Sequence, residues 1–141
     1  MGNNLLNELK EKLTPIFLKD KRIISAYLFG SCVEGLTHKR SDIDLAILLD
    51  PNKNFNLDDL LDLEVKITLA LKTEKYDLVI ANKASLILKF RILQGRIIYN
   101  DNDDLRCEFE ERTMQEYYDF LPRLNEFNHE YFYALKESYL K

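Results

Sequence analysis

Apolar residues recur along the chain with two periods, and segments of the two kinds alternate. Leu5, Leu6, Leu9 and Leu13 fall at helical spacing and predict an amphipathic helix near the start. Thr14-Pro15 reads as a cap followed by a first-turn proline, which predicts that a new helical turn starts there and runs through Ile16 and Phe17. The β-branched and aromatic run Ile23-Ile24-Ser25-Ala26-Tyr27-Leu28-Phe29, bounded by Gly30, predicts a buried strand; Ile43 to Leu49, stopped by Asp50-Pro51, predicts a second. Asn56 is placed to cap the next helix, with Asp58 and Asp59 in the first turn, where carboxylates favour the helix dipole. The apolar side of that helix is Leu57, Leu60, Leu61, Val65 and Leu69.

Tyr76 to Ala81 is a third apolar run, too short for a helix. Asn82 is expected to cap a helix bearing Leu86, Ile87, Phe90 and Leu93, which Gly95 would end as a C′ glycine. Ile97-Ile98-Tyr99 predicts a short edge strand, and from Asp101 onward the pattern is helical, with a kink or restart expected at Pro122. This alternation predicts an α/β fold with a small sheet and a C-terminal helical extension. Residues 1–100 form the expected core and 101–141 a tail packed on the core, on a partner, or on both.

Composition narrows the picture. A chain of 141 residues, 46% hydrophobic and 31% charged, is the size and make-up of one globular domain. Four Gly and three Pro exclude collagen-like and linker-rich architectures. No apolar run approaches the ~20 residues of a membrane span, and Met1 to Glu8 lacks the charged and apolar regions of an export signal. The expected setting is the cytoplasm, with no membrane partner. Cys32, Cys107, His38 and His129 are too few and too scattered for a zinc site.

A net charge of −4 argues against direct nucleic-acid binding, which needs a concentrated basic face. The charge is unevenly spread: residues 1–100 carry 15 basic and 13 acidic side chains, residues 101–141 carry 5 and 11. The first part therefore tolerates an anionic ligand, while the second suits a basic partner.

One stretch carries chemistry. Asp42 and Asp44 lie two apart where an apolar strand begins, so their side chains share a face, with Cα atoms ~6.7 Å apart. Two carboxylates held ~4 Å apart at an effective dielectric of 20 repel by about 4 kcal/mol, a penalty that a hard divalent cation removes. The plainer reading is the solvated end of a strand. Gly30-Ser31, directly after a buried strand, adds a backbone that can approach a ligand closely and a hydroxyl that can donate to phosphate; the plainer reading is a serine-capped turn. Asp77, at the start of another short strand, reaches the same face only if that strand is a neighbour.

Gly30-Ser31, ten intervening residues and Asp42-Ile43-Asp44 resemble the signature of the nucleotidyltransferase superfamily that includes DNA polymerase beta. The fuller pattern with Gly35, Ser41 and Leu45, the small size, Tyr76-Asp77-Leu78-Val79 and the acidic helical C-terminus resemble the minimal nucleotidyltransferase (MNT) antitoxins of HEPN–MNT toxin–antitoxin pairs. Cys32-Val33-Glu34 departs from relatives that carry a basic residue after Gly-Ser, and Lys39 or Arg40 is the available substitute.

The resemblance implies a small mixed sheet with flanking helices, and ATP bound on Gly30 and Ser31. It also implies Mg²⁺, as two ions, on Asp42, Asp44 and Asp77, with Asp77 binding the second ion or deprotonating the acceptor hydroxyl, and a HEPN ribonuclease toxin as protein acceptor in a hetero-oligomer. AMP on a toxin tyrosine would be the neutralising event. Nine of the sixteen aromatic residues lie in 109–141. Tyr117, Phe120, Leu124, Phe127, Tyr131 and Ala134 run at helix-packing spacing, and Tyr118, Leu121, Phe132, Leu135 and Tyr139 lie off that stripe, which favours a helical partner. The alternatives are a non-catalytic antitoxin of the same fold and transfer to an RNA end or to a small molecule such as an aminoglycoside.

Overall fold

The computed structural model describes the backbone of residues 2–30 and 43–140 and the side chains of residues 5–30 and 43–123. Its elements in chain order are α1 (Gly2–Leu18), β1 (Ile23–Phe29), β2 (Ile43–Leu49), α2 (Leu57–Leu71), β3 (Tyr76–Ile80), a 3-10 turn (Ala81–Lys83), α3 (Leu86–Leu93), β4 (Arg96–Asn100) and α4 (Asp103–Leu140). The strands form one mixed sheet in the order β3-β2-β1-β4. β1 pairs antiparallel with β2 and with β4, whereas β2 and β3 are parallel and joined through α2. Among the described residues no helix is long and apolar enough to cross a membrane.

Alternation along the strands divides the core between two faces. On one, Ile43, Leu45, Ile47 and Leu49 of β2 pack with Leu9, Leu13 and Phe17 of α1 and with Leu63 and Ile67 of α2. On the other, Ala46 and Leu48 pack with Tyr27 and Phe29 of β1, Ile92 of α3, and Leu105 and Phe109 of α4. Tyr27 donates its hydroxyl proton to Glu110 at 2.7 Å, and Glu110 also accepts from Arg106 at 2.9 Å, so α4 is tied to the middle of the sheet. Burial, reinforced by the Glu110 carboxylate, pushes the Tyr27 phenol far up and keeps it a donor.

Several sequence expectations are corrected here. α1 runs unbroken through Pro15, because Leu13 and Phe17, one turn apart and both fully buried, pin the helix on either side of it. α4 likewise runs through Pro122 as one helix, forgoing a single N–H bond. Asn82 does not cap α3. Its amide accepts from the Leu49 N–H and donates to the Leu49 carbonyl, both at 2.8 Å, at the end of β2, and Ser85 caps the helix by accepting from the Leu88 N–H at 3.2 Å. Asn56 caps α2 as expected, in a reciprocal box with Asp59.

The apolar side expected for α2 faces outward. Leu57, Leu61, Val65 and Leu69 are 68%, 50%, 58% and 73% exposed, while Leu63 and Ile67 are buried. Asp59 sets this rotation. It pairs with Arg22 at 2.8 Å, beside the start of β1, so the 59-63-67 row turns inward. Arg22 also holds Asp20 at 2.9 Å and lies over the Phe55 ring at 4.8 Å.

Candidate active site

β2 leaves the apolar pattern at one position. Asp44 stands opposite Phe29 in β1 and in register with Asp77 in β3. In-register neighbours on adjacent strands lie ~4.8 Å apart and point to the same face, so the two carboxylates form a row across the sheet. Asp44 is half-buried and Asp77 exposed. Like charges at ~5 Å repel by about 1 kcal/mol in water and about 3 kcal/mol at a dielectric of 20, so the row attracts cations.

Tyr76 fixes which way Asp77 points. Its hydroxyl donates to the Glu64 carbonyl at 2.8 Å and lies 2.9 Å from the Thr68 hydroxyl, both on α2. Partial burial raises the Tyr76 phenol and keeps it protonated for that bond. With Tyr76 held toward α2, alternation turns Asp77 toward the α3–α4 face. Of the two β3 side chains on that face, Val79 packs with its core, whereas Asp77 is exposed.

The end of β1 completes the row. Gly30 has φ +84°, a conformation costly for other residues, and a Cβ there would collide with the Asp44 carboxylate oxygen Oδ2. The bend is therefore pressed against the carboxylate with no intervening side chain. A second glycine works from the other side. Gly95, expected as a left-handed helix terminator, does not have a positive φ; a Cβ there would collide with the Leu28 carbonyl oxygen and the Phe29 Cβ. It lets the end of α3 lie flush on the last two residues of β1. α3 is held from behind by α4, through Phe90 and Tyr117 stacked at 3.7 Å.

Among the residues expected in the site, the structure brings together Gly30, Asp44 and Asp77. Ser31 and Asp42 lie outside the described residues, as do Cys32, Gly35, His38, Lys39, Arg40 and Ser41. Among the described residues no three His, Cys, Asp or Glu side chains are grouped so as to hold a metal ion. Two positioning residues were missed by sequence reasoning, Gly95 and Tyr76. For Tyr76 the signal was present, since a tyrosine preceding an aspartate in a strand must face the opposite way.

A model of the family described as "Polymerase beta, Nucleotidyltransferase" matches residues 11–104, more than half of the chain. The chain belongs to the polymerase beta nucleotidyltransferase family. A search of curated proteins found no significant match. Among solved structures, this nucleotidyltransferase is similar to a chain of a toxin–antitoxin complex with AMP-PNP, at 23% identity and TM-score 0.69, covering 87% of this chain and 98% of that one. It is also similar to a chain of the complex between a tri-AMPylated Shewanella oneidensis HEPN toxin and its MNT antitoxin, at 21% identity and TM-score 0.67, covering 90% and 98%. A third likeness is to a chain of the MntA–HepT toxin–antitoxin, at 21% identity and TM-score 0.64, covering 88% and 97%. At such identities the likeness is one of fold, and it spans nearly the whole of each neighbour.

Proposed function

We propose that this nucleotidyltransferase is an antitoxin that transfers AMP from ATP to a tyrosine of a HEPN-type ribonuclease toxin. The observation that carries the reading is the registered row of Asp44 and Asp77 beside the Gly30 bend. Family membership supplies the reaction class, and the two toxin–antitoxin complexes, one with AMP-PNP and one with a tri-AMPylated toxin, support the nucleotide and the acceptor.

In this reading the triphosphate lies at the Gly30 bend, and Ser31 enters as a hydroxyl donor to its oxygens on its place in the Gly-Ser motif alone. The tyrosine oxygen bonds to the α-phosphorus, the bond to the bridging oxygen of the β-phosphate breaks, and pyrophosphate leaves. Asp77, the more exposed carboxylate, takes the tyrosine proton. The donor set of Asp44, Asp77 and Asp42 offers only carboxylate oxygens, which fits Mg²⁺. Bound there, the ion would neutralise charge developing on the phosphate oxygens. Asp42 enters on its place in the Asp-x-Asp motif alone.

Residues 101–141, with 11 acidic and 5 basic side chains, would pack on the core and contact the partner in a hetero-oligomer. The proposed setting is the cytoplasm, where ATP and an RNA-cleaving toxin meet. A phosphodiester on a tyrosine near a ribonuclease centre would repel RNA and block it sterically.

Labelled ATP, Mg²⁺ and the HEPN toxin test the reading. Label should move to toxin with the parent chain, and by at least about 100-fold less with Asp44→Asn or Asp77→Asn, each as stable as the parent. Undiminished transfer by both variants, or label on RNA or an aminoglycoside instead of protein, would refute it.

A further inference from the structure

α4 meets the rest of the chain at two levels. Its first turns are tied to the sheet, where Leu105 and Phe109 pack on the core and Glu110 accepts from Tyr27 at 2.7 Å. About two turns further on, Tyr117 stacks on Phe90 of α3, with ring centroids 3.7 Å apart and planes 1° apart. Phe90 stands one helical turn from the place where α3 reaches the site. Its carbonyl accepts from the Gln94 N–H at 3.2 Å, and the next residue, Gly95, lies flush on Leu28 and Phe29. Phe29 is the register partner of Asp44, and Gly30 abuts the Asp44 carboxylate. Adjacent groups therefore connect α4 to the carboxylate row without a gap.

We infer that Tyr117 is a positioning residue for Asp44, acting through Phe90 and the end of α3. α3 has only 8 residues, too few to be stable alone, so what it packs on fixes its place. Ile92, fully buried, holds it on the sheet side, and the Tyr117 ring holds it on the α4 side. Gly95 brings the α3 end against the Leu28 carbonyl, with no side chain between to absorb a shift. A displacement of α3 is therefore passed to the end of β1 and to the bend that abuts Asp44. A plain packing pair would support stability and leave the chemistry alone. Tyr117 depends on the preceding reading only for the reaction that it serves.

Single-turnover AMP transfer at saturating ATP and HEPN toxin isolates the chemical step. Tyr117→Ala should slow it by about tenfold per folded molecule, as a displacement under ~1 Å would. Tyr117→Phe keeps the stacked ring and should stay within about twofold of the parent. Ile67→Ala, which loosens the other face, supplies the destabilised comparison and should not be slowed. A second readout needs no toxin. Hydrogen exchange of the Leu28 and Phe29 amides should quicken in Tyr117→Ala by more than that of the α1 amides, and should match the parent in Tyr117→Phe. Full-rate transfer by Tyr117→Ala, or equal losses in Tyr117→Ala and Tyr117→Phe, would overturn the inference and leave the transferase reading standing. If the parent transfers no AMP, the transferase reading falls and exchange decides. Selective quickening at Leu28 and Phe29 would then support the role of Tyr117, and none would overturn it.

Discussion

The two faces of the sheet are built from the same strands and serve different ends. Beneath α1 and α2, every inward position of β2 from Ile43 to Leu49 is aliphatic and buried. Beneath α3 and α4, the core covers Ala46 and Leu48, and the next position in the same row is Asp44. One face spends its whole length on packing. The other stops short and leaves a charged row at its end, held in place by strands that the first face makes rigid. Stability and chemistry should therefore respond to different substitutions.

The largest stability effect belongs to the packed face. Ile67→Ala removes a fully buried side chain between α2 and the sheet, and should cost about 2–5 kcal/mol in denaturant unfolding. AMP transfer per folded molecule should stay near the parent value; a large drop at full folding would erase the division between the faces.

Gly30→Ala strikes where the faces meet. The added methyl group forces a strained φ and displaces the Asp44 carboxylate, so about 1–3 kcal/mol of stability should go. Transfer should fall by about 100-fold, as expected when a reacting group is misplaced by ~1 Å. Unaltered transfer would separate the bend from the chemistry.

Tyr27→Phe sharpens the comparison from the α4 side. Glu110 keeps Arg106 but loses the phenol, at a cost of about 1–2 kcal/mol by thermal or denaturant unfolding.

The smallest effect concerns pH. The Arg22 hydrogen bond lowers the Asp20 carboxyl below its ordinary value of 3.8 against a smaller opposing effect of burial. A depressed carboxyl stabilises the fold above the unfolded value, and that contribution is lost as pH falls through the folded one. Asp20 is half-buried, and the cost of that burial opposes the Arg22 bond, which limits the effect to under about 1 kcal/mol. Asp20→Asn should lower stability at pH 7 by that amount, and the gap to the parent should shrink as pH falls below 3.8, measured by urea unfolding across the acid range.

Local signals were legible where one interaction decides the outcome. Asn56 three residues before Asp59 specifies a capping box, and the uniform β1 and β2 runs specify buried strands. Signals failed where a long-range partner overrides them. Asn82 has the chemistry of a cap, but the open Leu49 peptide, 33 residues away in sequence, claims its side chain. α2 is apolar on two sides, and periodicity could not choose between them; the Arg22–Asp59 pair could, because it joins α2 to the start of β1. Gly95 read correctly as the end of a helix for the wrong reason, since close approach to β1 is invisible without the sheet. In the site, the Asp44–Asp77 pairing depended on strand order, which local pattern does not encode.

The most direct measurement is a double-mutant cycle on AMP transfer, comparing Asp44→Asn, Asp77→Asn and the two combined under single-turnover conditions. If the two carboxylates act as one unit, the combined variant should be no slower than the slower single variant. Losses that simply multiply would mean that the registered row is not one catalytic site.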